Sequence, residues 1–461
     1  MGNSVKVDEL KSLVVVECKI EKEINTHGKA VIKGYLQNDF NNQVKRALDA
    51  GGYFTIRALD AEEQSRIVFS GILSVYDIKH MKDFEEIYIE FEAATKRMDQ
   101  LKCKRAFSNG DECYENVIDY INNYTNIYSN TSEAVGKMGK ISMQYLETDW
   151  EYLKRLAAEK NSFIVPEYEH PVGGFCIGIP DGPTVSVEND EHENIVDFFQ
   201  YMKKKNNNVD TSLVNENVYV FTSRKILSIG TRVKALNGEL IIYKSLSKMN
   251  GANLVTTYYA KSKEGLKTTP YKNLNIIGAS ITGRVKEVQG DKLKVTMLLD
   301  GLQDNPKAME FATVYSSTGE AGWYCMPELG DIVRVYFPNE NEDEAFVFNA
   351  MQVDKAGKKP QIKFFRNPQG KEIEFGESYI KITNNAGLTI LLDDVEGIKI
   401  ETKNNTDINV MANKDLIMKS ETGMLKITAE ESVSLNKGES SIVLDDDVRL
   451  TGKQIHVKEI G

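Results

Sequence analysis

The chain has 461 residues, a formal net charge of −11 at pH 7, 41% hydrophobic residues and 27% charged residues. This length allows about three globular domains, and an acidic balance without a concentrated Lys/Arg run argues against a nucleic-acid-binding protein. No stretch reaches the ~18 to 20 apolar residues of a membrane span, and the N-terminus lacks the apolar region of a secretory signal peptide. We therefore expect folding in the cytosol, with any export by a route that does not use a signal peptide.

The cysteines and histidines show no pattern for redox chemistry or metal binding. The chain has five of each, and the only near cysteine pair, Cys103 and Cys113, is too widely spaced for a CxxC redox or zinc motif. The histidines form no HxH or HxxxH pair, which argues against a metal site built within one chain. We predict free thiols, no metal ion and no cofactor.

The N-terminal part of the chain predicts an antiparallel, barrel-like domain with two helices. Gly28 marks a turn between the first two strands, and Gly51-Gly52 ends the first helix. The predicted strands are Leu13–Ile20, Lys29–Leu36, Tyr53–Leu59, Arg66–Val75 and Glu86–Ala93, and the predicted helices are Asn41–Ala50 and Cys113–Tyr124.

The most informative local motif runs from Gln144 to Glu159 and reads QYLETDWEYLKRLAAE. Thr148, followed three residues later by Glu151, predicts a capping box in which each side chain accepts a hydrogen bond from the other residue's backbone amide. The residues that recur at helical spacing and predict one buried face are Trp150, Leu153 and Leu156. As local structure, the motif is a well-capped core helix.

The same motif resembles the signature of the hub region in the VgrG family, the spike proteins of type VI secretion and of related phage tails and tailocins. The matching pattern is Gln-Tyr-x-Glu-Thr-Asp-Trp-x-x-Leu-x-Arg-Leu, and the further segments similar to hub strands are Ile67–Val75, Leu101–Phe107, Leu227–Ala235 and Ala252–Tyr259. The resemblance implies a first hub barrel over residues 1–143, and a connecting helix with a second hub barrel over residues 144–274.

Residues 275–353 predict a five-stranded domain of the OB-fold type. The predicted strands are Ser280–Lys286, Lys292–Leu298, Glu310–Tyr315, Asp331–Phe337 and Ala345–Asn349. Through Trp323, Pro327 and Gly330, the turn before the fourth strand resembles the family's Gly-aromatic-Pro-x-x-Gly-Asp turn, and in the family this domain is a trimeric collar between hub and needle. OB-folds also bind single-stranded nucleic acid or sugars, but the acidic loop Asn339–Glu344 argues against that use.

The C-terminal residues 371–461 alternate apolar and polar side chains in eleven short candidate strands. Their inner aliphatic side chains recur about every eight or nine residues, which is the fixed period of a stacked repeat. The predicted inner positions are Ile382, Ile390, Ile400, Val410, Met418, Ile427, Leu435 and Leu444, followed by Ile455 and Val457 in the last strand. Because His456 takes the outward phase between them, we do not expect a metal ion on a symmetry axis.

One copy of this segment offers about two inward aliphatic side chains per repeat, too few to offset the conformational entropy of ordering it. The pattern therefore favours a core shared between chains, which predicts an intertwined trimeric β-helix needle in a homotrimer. From Lys371 onward the chain has 17 Asp and Glu residues and 11 Lys and Arg residues, so the needle surface should be acidic. A Lys/Gly/Pro-rich linker over residues 354–370 precedes the needle.

The sequence thus predicts a mainly β protein with some helix, acting as a structural spike at the tip of a contractile injection machine: a hub with a membrane-puncturing needle. The resemblance implies partners in the tail tube protein, the baseplate proteins, a PAAR-type tip protein and cargo effectors, with transient contact to the target cell envelope. It also implies assembly in the bacterial cytoplasm, before the protein joins the particle or is injected. Nucleic acid is not an expected partner.

We expect no enzymatic activity. The chain has neither a catalytic-triad signature nor a P-loop, and we expect no room for an enzyme domain in the short linker or after the last strand. Asp393-Asp394 and Asp445–Asp447 could be paired glycosidase carboxylates, but they stand at turns between repeats and lack the aromatic residues of a sugar groove. The alternative functions are a trimeric β-helical tail adhesin, which should carry a receptor-binding head, and a carbohydrate-active tailspike.

Overall fold

The structure is a computed structural model that describes residues 5–36, 40–131, 133–187, 191–235, 238–318, 321–352, 358–437 and 440–444. The chain divides into two compact units, residues 1–354 and residues 355–461. The described part is mainly β, and none of its helices is long and apolar enough to cross a membrane. The domain boundaries expected after residues 143 and 274 fall inside the first unit and stay predictions.

The first unit begins with β1 (Val5–Val7), which the sequence did not predict. The next elements lie close to their predicted positions: β2 (Val14–Glu23), β3 (Lys29–Leu36), α1 (Phe40–Asp49), β4 (Tyr53–Leu59), β5 (Ser65–His80) and β6 (Glu85–Glu92). Alternate side chains of β3 and β6 are buried, as expected for strands with one face on a core. Gly28 turns the chain between β2 and β3 with φ +65°, and a Cβ there would lie 2.3 Å from the Tyr168 ring.

The middle of this unit contains β7 (Lys102–Phe107), α2 (Tyr114–Thr125), β8 (Tyr128–Thr131), β9 (Ser142–Thr148), α3 (Asp149–Glu159), β10 (Ile164–Pro166), β11 (Gly174–Ile177), β12 (Thr184–Ser186), β13 (His192–Val196), α4 (Phe198–Asn206), β14 (Asn217–Ser223), β15 (Arg232–Ala235), β16 (Gly238–Asn250) and β17 (Asn253–Lys261). α2 and α3 share a hydrophobic core with β10 and β11. Trp150, Leu153 and Leu156 of α3 lie in that core and are at most 2% exposed.

One twelve-stranded sheet takes the place of the two separate barrel-like hub domains predicted from the sequence. Its strand order is β1-β4-β5-β6-β3-β2-β16-β17-β14-β13, while β15 pairs with β16 and β12 pairs with β15. The two halves join where residues 244–248 of β16 pair with residues 19–23 of β2. No sheet in the described part closes into a barrel. The alternation of apolar and polar residues indicates where the strands lie. It does not indicate that β2 pairs with β16, which is far away in the sequence.

The rest of the first unit comprises β18 (Ser280–Gln289), β19 (Lys292–Met297), β20 (Asp300–Leu302), β21 (Ala308–Glu310), β22 (Ile332–Tyr336) and β23 (Phe346–Ala350). Five of these strands form the sheet β21-β19-β18-β22-β23, which we call the collar sheet. The third predicted strand, Glu310–Tyr315, is largely absent because its end pairs locally instead: Trp323 N donates to Tyr315 O at 2.9 Å. An isolated bridge between Phe311 and Val347 brings the two edges of the collar sheet together.

A shared hydrophobic core joins the collar sheet to the rest of the first unit. Ala106 of β7, Met143 of β9 and Ile141, which directly precedes β9, are buried together with aliphatic side chains of β18, β19 and β22. β20 also pairs in parallel with β7. Burial of apolar area is the main source of stability in folded proteins, so these contacts make the collar sheet part of one compact unit with the preceding strands.

The second unit begins with an antiparallel meander of five strands, and a hairpin follows. The strands are β24 (Lys363–Arg366), β25 (Glu372–Phe375), β26 (Tyr379–Thr383), β27 (Leu388–Asp393), β28 (Gly397–Thr402), β29 (Val433–Lys437) and β30 (Ser440–Leu444). β24 lies within residues 354–370, where the sequence predicts a linker, and the bounds of the linker stay a prediction. Phe364 and Phe365 of β24 are typical strand residues, and β24 pairs with β25.

Residues 403–432, all of them described, contain no strand, although three were predicted at Asp407–Met411, Leu416–Met418 and Met424–Thr428. Those three predictions do not hold for the single chain. Alternation predicts an extended backbone with one apolar face, but a strand also needs a neighbour for its amide and carbonyl groups. The last two predicted strands, Asp447–Leu450 and Gln454–Val457, lie outside the described residues.

The substitution Gly71→Ala tests how closely β5 lies beside its neighbouring strand β6. A Cβ at this position would lie 2.2 Å from the backbone oxygen of Glu92, so Gly71→Ala must displace a strand. We expect this substitution to lower the free energy of unfolding by about 1–3 kcal/mol in chemical denaturation. Gly110→Ala is the control, because nothing lies within 4 Å of the methyl group added there. Equal losses in both variants would contradict this account of the strand packing.

Candidate functional site

The motif at residues 144–159 forms the junction between β9 and α3. Thr148 is the N-cap of α3: its Oγ1 accepts a hydrogen bond from Glu151 N at 3.1 Å. Glu151 Oε2 in turn accepts from Thr148 N at 2.9 Å, so the capping box predicted from the sequence is present. Because Glu151 lies in the first turn, its carboxylate also interacts favourably with the positive end of the helix dipole.

The cap of α3 is attached to the N-terminal strands through Asp99. Thr148 Oγ1 donates to Asp99 Oδ1 at 2.6 Å, and His27 Nε2 lies 3.0 Å from Asp99 Oδ2. The hydrogen bond with His27 holds the pKa of Asp99 well below its ordinary value, although burial acts in the opposite direction. The centroid of the His27 ring is 4.5 Å from that of Trp150. These contacts fix the start of α3 against the turn between β2 and β3.

A first buried polar cluster surrounds Asp149. Arg105 of β7 forms an ion pair with Asp149 and donates to Gln144 Oε1 at 2.8 Å. Gln144 Nε2 donates to Asp149 Oδ1 at 2.9 Å, which closes the cluster. The three side chains are at most 5% exposed. Because a buried charge is costly unless it is paired and hydrogen-bonded, each member of the cluster depends on the other two.

A second buried cluster surrounds Arg155, which is 1% exposed. Its Nε and Nη2 donate to the two carboxylate oxygens of Glu147 at 2.9 and 2.8 Å, and Nη2 also donates to Met143 O at 2.6 Å. Its Nη1 lies 3.2 Å from Glu342 Oε1, an ion pair without hydrogen-bond geometry. Glu342 belongs to the loop before β23, so Arg155 connects α3 electrostatically to the collar sheet.

Glu342 titrates near neutral pH in the folded protein. Burial raises the pKa of its carboxyl group to about 7, although the nearby cations Arg155 and Lys140 act to lower it. The side chain is 6% exposed. Burial favours the protonated form of such a carboxyl group, so we expect the contact between α3 and the collar sheet to depend on pH.

The two clusters have the chemistry of a structural junction. Their charged groups are buried and paired with one another, whereas a general acid or base must reach a bound substrate. Among the described residues, no group of three or more Asp, Glu, His and Cys side chains could hold a metal ion. Asp393 Oδ1 accepts hydrogen bonds from Val395 N and Glu396 N at 2.9 Å each, so it stabilises a turn. Asp445–Asp447 lies outside the described residues.

The predicted collar residues lie in the turn before β22. Pro327 is buried, and Gly330 has φ +90°, in the left-handed region that favours glycine. Gly330 N donates to Val285 O at 2.9 Å and so holds the turn against β18. Trp323 is instead 52% exposed, next to the exposed Tyr315. The structure therefore packs Pro327 and Gly330 against the collar sheet and leaves Trp323 at the surface.

The predicted needle-core residues fall into different environments. Ile382, Ile390 and Ile400 are direct cross-strand neighbours in β26, β27 and β28. Leu435 of β29 stands opposite Ile442, and Leu444 of β30 stands opposite Val433. The positions in the strand-free segment, at least 60% exposed, are Val410, Met418 and Ile427, while Ile455 and Val457 lie outside the described residues.

One face of the meander is apolar and exposed, and we call it the apolar face. It consists of two cross-strand rows, Ile373–Ile382–Ile390–Ile400 and Phe375–Ile380–Leu392–Ile398. These eight side chains are 38–73% exposed in the single chain. The opposite face is largely polar: Glu374 is the cross-strand neighbour of Lys381, and Leu391 lies between Lys381 and Lys399. The meander is therefore a sheet with its apolar face uncovered.

The buried polar clusters are the part of the site that the sequence did not reveal. Glu147 and Arg155 were part of the quoted motif, but a charged residue between Leu153 and Leu156 reads as the solvated side of an amphipathic helix. No local signal marked Arg155 as buried, because five of the eleven residues of α3 are charged and Arg155 lies at helical spacing between Glu151 and Glu159. Glu342 gave no signal, because an acidic loop is usually exposed.

No protein-family model and no curated protein sequence matches this chain. Among solved structures it is similar to the E. coli c3393 protein, described as a component of the type VI secretion system with structural similarity to the T4 bacteriophage tail proteins gp27 and gp5. That match has a TM-score of 0.52 at 12% identity and covers 76% of this chain and 99% of the other.

Two structures of a PdpA–VgrG complex are also similar. The lidless form matches with a TM-score of 0.54 at 11% identity, covering 86% of this chain and 94% of the other. The lidded Francisella form has the same TM-score and identity, covering 86% and 77%. At these identities the comparison establishes the fold: the chain folds like VgrG-type hub proteins.

Arg155→Met tests the second cluster. Without the guanidinium group, Glu147 and Glu342 remain buried without their cation, so we expect the free energy of unfolding to fall by roughly 3–5 kcal/mol. Lys137→Met is the matched control, because Lys137 and its partner Asp111 have side chains 67% and 71% exposed. An exposed pair should contribute at most about 1 kcal/mol. Chemical denaturation measures both variants, and a similar loss in each would refute the role given to Arg155.

Glu342→Gln tests the pH sensitivity of the junction. The pKa of Glu342 is raised from 4.5 to about 7 in the folded state, so its contribution to stability is complete below pH 4.5 and is lost as the pH rises through 7. Between these limits, wild type should lose roughly 3 kcal/mol of unfolding free energy relative to Glu342→Gln. The pKa of Asp99 is lowered from 3.8, so its contribution is lost only under more acidic conditions. Denaturation of both proteins from pH 4.5 to 9 measures the difference between their free energies of unfolding. A difference that stays constant over this pH range would contradict the prediction.

Proposed function

We propose that this chain is the structural spike of a contractile injection machine, such as a type VI secretion system, a phage tail or a tailocin. Three copies form a hub, an OB-fold collar and an intertwined β-helix needle. The needle is driven through a target envelope when the machine contracts. In this proposal the chain carries no enzymatic domain, and its role is mechanical.

The fold comparison supports the hub part of the proposal. The similar chains come from a type VI secretion component and from PdpA–VgrG complexes, and the alignment covers 99% and 94% of two of them. Nearly the whole of those chains therefore has a counterpart here. The five-stranded collar sheet, whose edges are bridged at Phe311 and Val347, is consistent with the proposed OB-fold collar.

The exposed apolar face is the observation that supports a trimer. Its eight large hydrophobic side chains stand in two unbroken rows on one side of a sheet, and their exposure is 38–73%. Globular proteins rarely leave a contiguous apolar surface of this kind uncovered unless a partner binds it. A second and a third copy bring the same face, so identical chains can bury one another's rows around a common axis.

The strand-free segment at residues 403–432 supports an intertwined arrangement. Its sequence alternates like the strands before it, and its apolar side chains are exposed, for example Val410 at 65% and Met418 at 63%. Backbone amides and carbonyls of a buried strand must be hydrogen-bonded. Strands from neighbouring copies would supply those partners, and interlocked strands leave few free edges along a needle.

The partners follow from this role. The hub would bind the tail tube protein and baseplate proteins, and the needle would carry a PAAR-type tip and cargo effectors. Assembly would take place in the bacterial cytoplasm. The buried ion clusters of α3 suit a part that transmits force, because they join the hub strands to the collar sheet without an exposed hinge.

Ile390→Glu tests the apolar face. Ile390 lies in the middle of one row, so a buried glutamate there should separate the copies. Leu391→Glu is the matched control: Leu391 points to the polar face, where its cross-strand neighbours are Lys381 and Lys399. Light scattering of the full-length chain should give a mass of three copies for wild type and Leu391→Glu, and a smaller mass for Ile390→Glu.

A monodisperse, stable wild-type monomer would overturn the proposed function. The C-terminal unit would then have to fold within one chain, and the adhesin or carbohydrate-active alternatives would become the leading hypotheses.

A further inference from the structure

Helix α4 buries a lysine and exposes two phenylalanines. Phe198 and Phe199 are 59% and 77% exposed, whereas Lys204 is the one buried residue of the helix. A surface helix of a globular protein normally shows the reverse arrangement. The contacts of Lys204, rather than apolar burial, therefore fix how α4 lies on the protein.

Lys204 belongs to a buried cluster with two cations and one anion. Lys204 Nζ donates to Glu216 Oε1 at 2.7 Å and to Gly265 O at 2.6 Å, and Lys261 Nζ donates to Glu216 Oε2 at 2.9 Å. Glu216 is fully buried, and each lysine is 8% exposed. Because the two ammonium groups share a single carboxylate, the cluster carries one positive charge in excess.

The same cluster is also short of hydrogen-bond acceptors. An ammonium group has three donors. Lys204 uses two of them and Lys261 uses one, so three N–H groups have no acceptor among the described residues. Burial lowers the pKa of Lys204, and the Lys261 ammonium acts in the same direction, although Glu216 acts to raise it. Buried cations in this state would be stabilised by further negative charge.

Both lysines line a cavity of about 470 Å³, which we call the α4 cavity. Its walls are α4, the turn between β2 and β3, and the segment from Gly265 to Tyr271. The volume is within the range of small-molecule sites. Two more lysines belong to the lining: Lys203, which is exposed and forms no ion pair in the part of the chain that the structure describes, and Lys267, whose Nζ is 3.7 Å from the carboxylate of the fully exposed Asp210.

Two carboxylates also line the α4 cavity, and each already has a partner. Glu23 Oε2 accepts a hydrogen bond from Lys244 Nζ at 2.9 Å. Asp197 Oδ1 accepts from Gln200 N at 3.0 Å as the N-cap of α4. Counted with Glu216, the cavity and its wall hold four lysines and three carboxylates, so the excess of one positive charge is not removed by the lining.

Hydroxyl groups add neutral donors to the lining. They belong to Thr268, Thr269, Tyr243 and Tyr271. Partial burial raises the pKa of both tyrosines to about 12, so their phenol groups keep their protons at neutral pH. An oxyanion accepts hydrogen bonds from ammonium and hydroxyl groups, and bonds between oppositely charged groups are the stronger ones. The α4 cavity thus offers both kinds of donor to an anion.

We propose that the α4 cavity binds a small multivalent oxyanion, with Lys204 and Lys261 as its buried contacts and Lys203 as an outer contact. The oxygens of the anion would accept the ammonium N–H groups that lack an acceptor, and its charge would offset the excess positive charge of the cluster. A phosphate group and a polycarboxylate share this chemistry. The site lies within the first unit, so it does not depend on the trimer or on the spike function.

Equilibrium dialysis of the full-length chain tests the site. The probes are radiolabelled inorganic phosphate and radiolabelled citrate, each at neutral pH and at an ionic strength held constant with sodium chloride, so that screening is the same throughout. We expect saturable binding with one site per chain, and the probe that binds more tightly identifies the phosphate or the carboxylate as the preferred group. Absence of a saturable site for both probes would overturn the proposal.

Lys203→Gln and Lys205→Gln are a matched pair on α4. Each removes one exposed lysine, but Lys205 lies outside the lining, and its Nζ donates to Tyr201 OH at 3.1 Å. Lys203→Gln should weaken binding about fivefold, as expected for the loss of one charge–charge contact near water. Lys205→Gln should leave the affinity unchanged. Equal affinities in the two variants would show that the anion binds elsewhere.

Lys261→Met tests the buried contact. It removes the excess charge and leaves Glu216 paired with Lys204, so we expect a folded chain by circular dichroism with an affinity at least about tenfold lower. Wild-type affinity in the folded variant would overturn the role of Lys261. If Lys261→Met does not fold, the comparison of Lys203→Gln with Lys205→Gln decides the proposal.

Discussion

The buried guanidinium group of Arg155 is the contact on which the first unit depends. It binds Glu147 at the start of the motif, the backbone of β9 and Glu342 in the loop before β23, so one side chain joins α3 to the collar sheet. Replacing such a pair with apolar groups of equal volume is often neutral for stability, so what the pair contributes above all is a defined geometry. We infer that Arg155 serves to fix how the collar sheet packs on β9 and α3.

A buried ion cluster also holds helix α4, but there the apolar side chains of the helix are exposed. There, Lys204, Glu216 and Lys261 form the buried cluster, and the phenylalanines point outward. In α3, buried charges complete the packing of a helix whose apolar residues are also buried. In α4, the buried charges compete with the hydrophobic effect for the orientation of the helix and prevail. The first arrangement buries the apolar side chains of its helix, and the second leaves the apolar side chains of α4 exposed.

The sequence predicted the positions of the strands and helices better than it predicted their contacts with one another. The strand positions of the N-terminal region, the capping box of Thr148 and Glu151, and the alternation that aligns Ile382 with Ile390 and Ile400 are local properties, and the structure contains them. The joining of β2 to β16 and the pairing of Arg155 with Glu342 depend on residues far apart in the chain. Nothing in the local pattern indicates either. The buried α4 lysine was also missed, because a run of three lysines normally marks a solvated helix end.

The two units differ in what they need in order to fold. The first unit has hydrophobic cores and buried ion pairs within one chain. The second has an exposed apolar face and a segment without strands, so under the proposed function its order depends on association and hence on concentration. Under the proposed function, residues 403–432 form strands only when copies associate. Before association they would present no exposed strand edge, which limits pairing with unrelated chains. A hub that brings three copies together would raise the local concentration of their C-terminal segments, and in this way folding of the first unit would promote folding of the second.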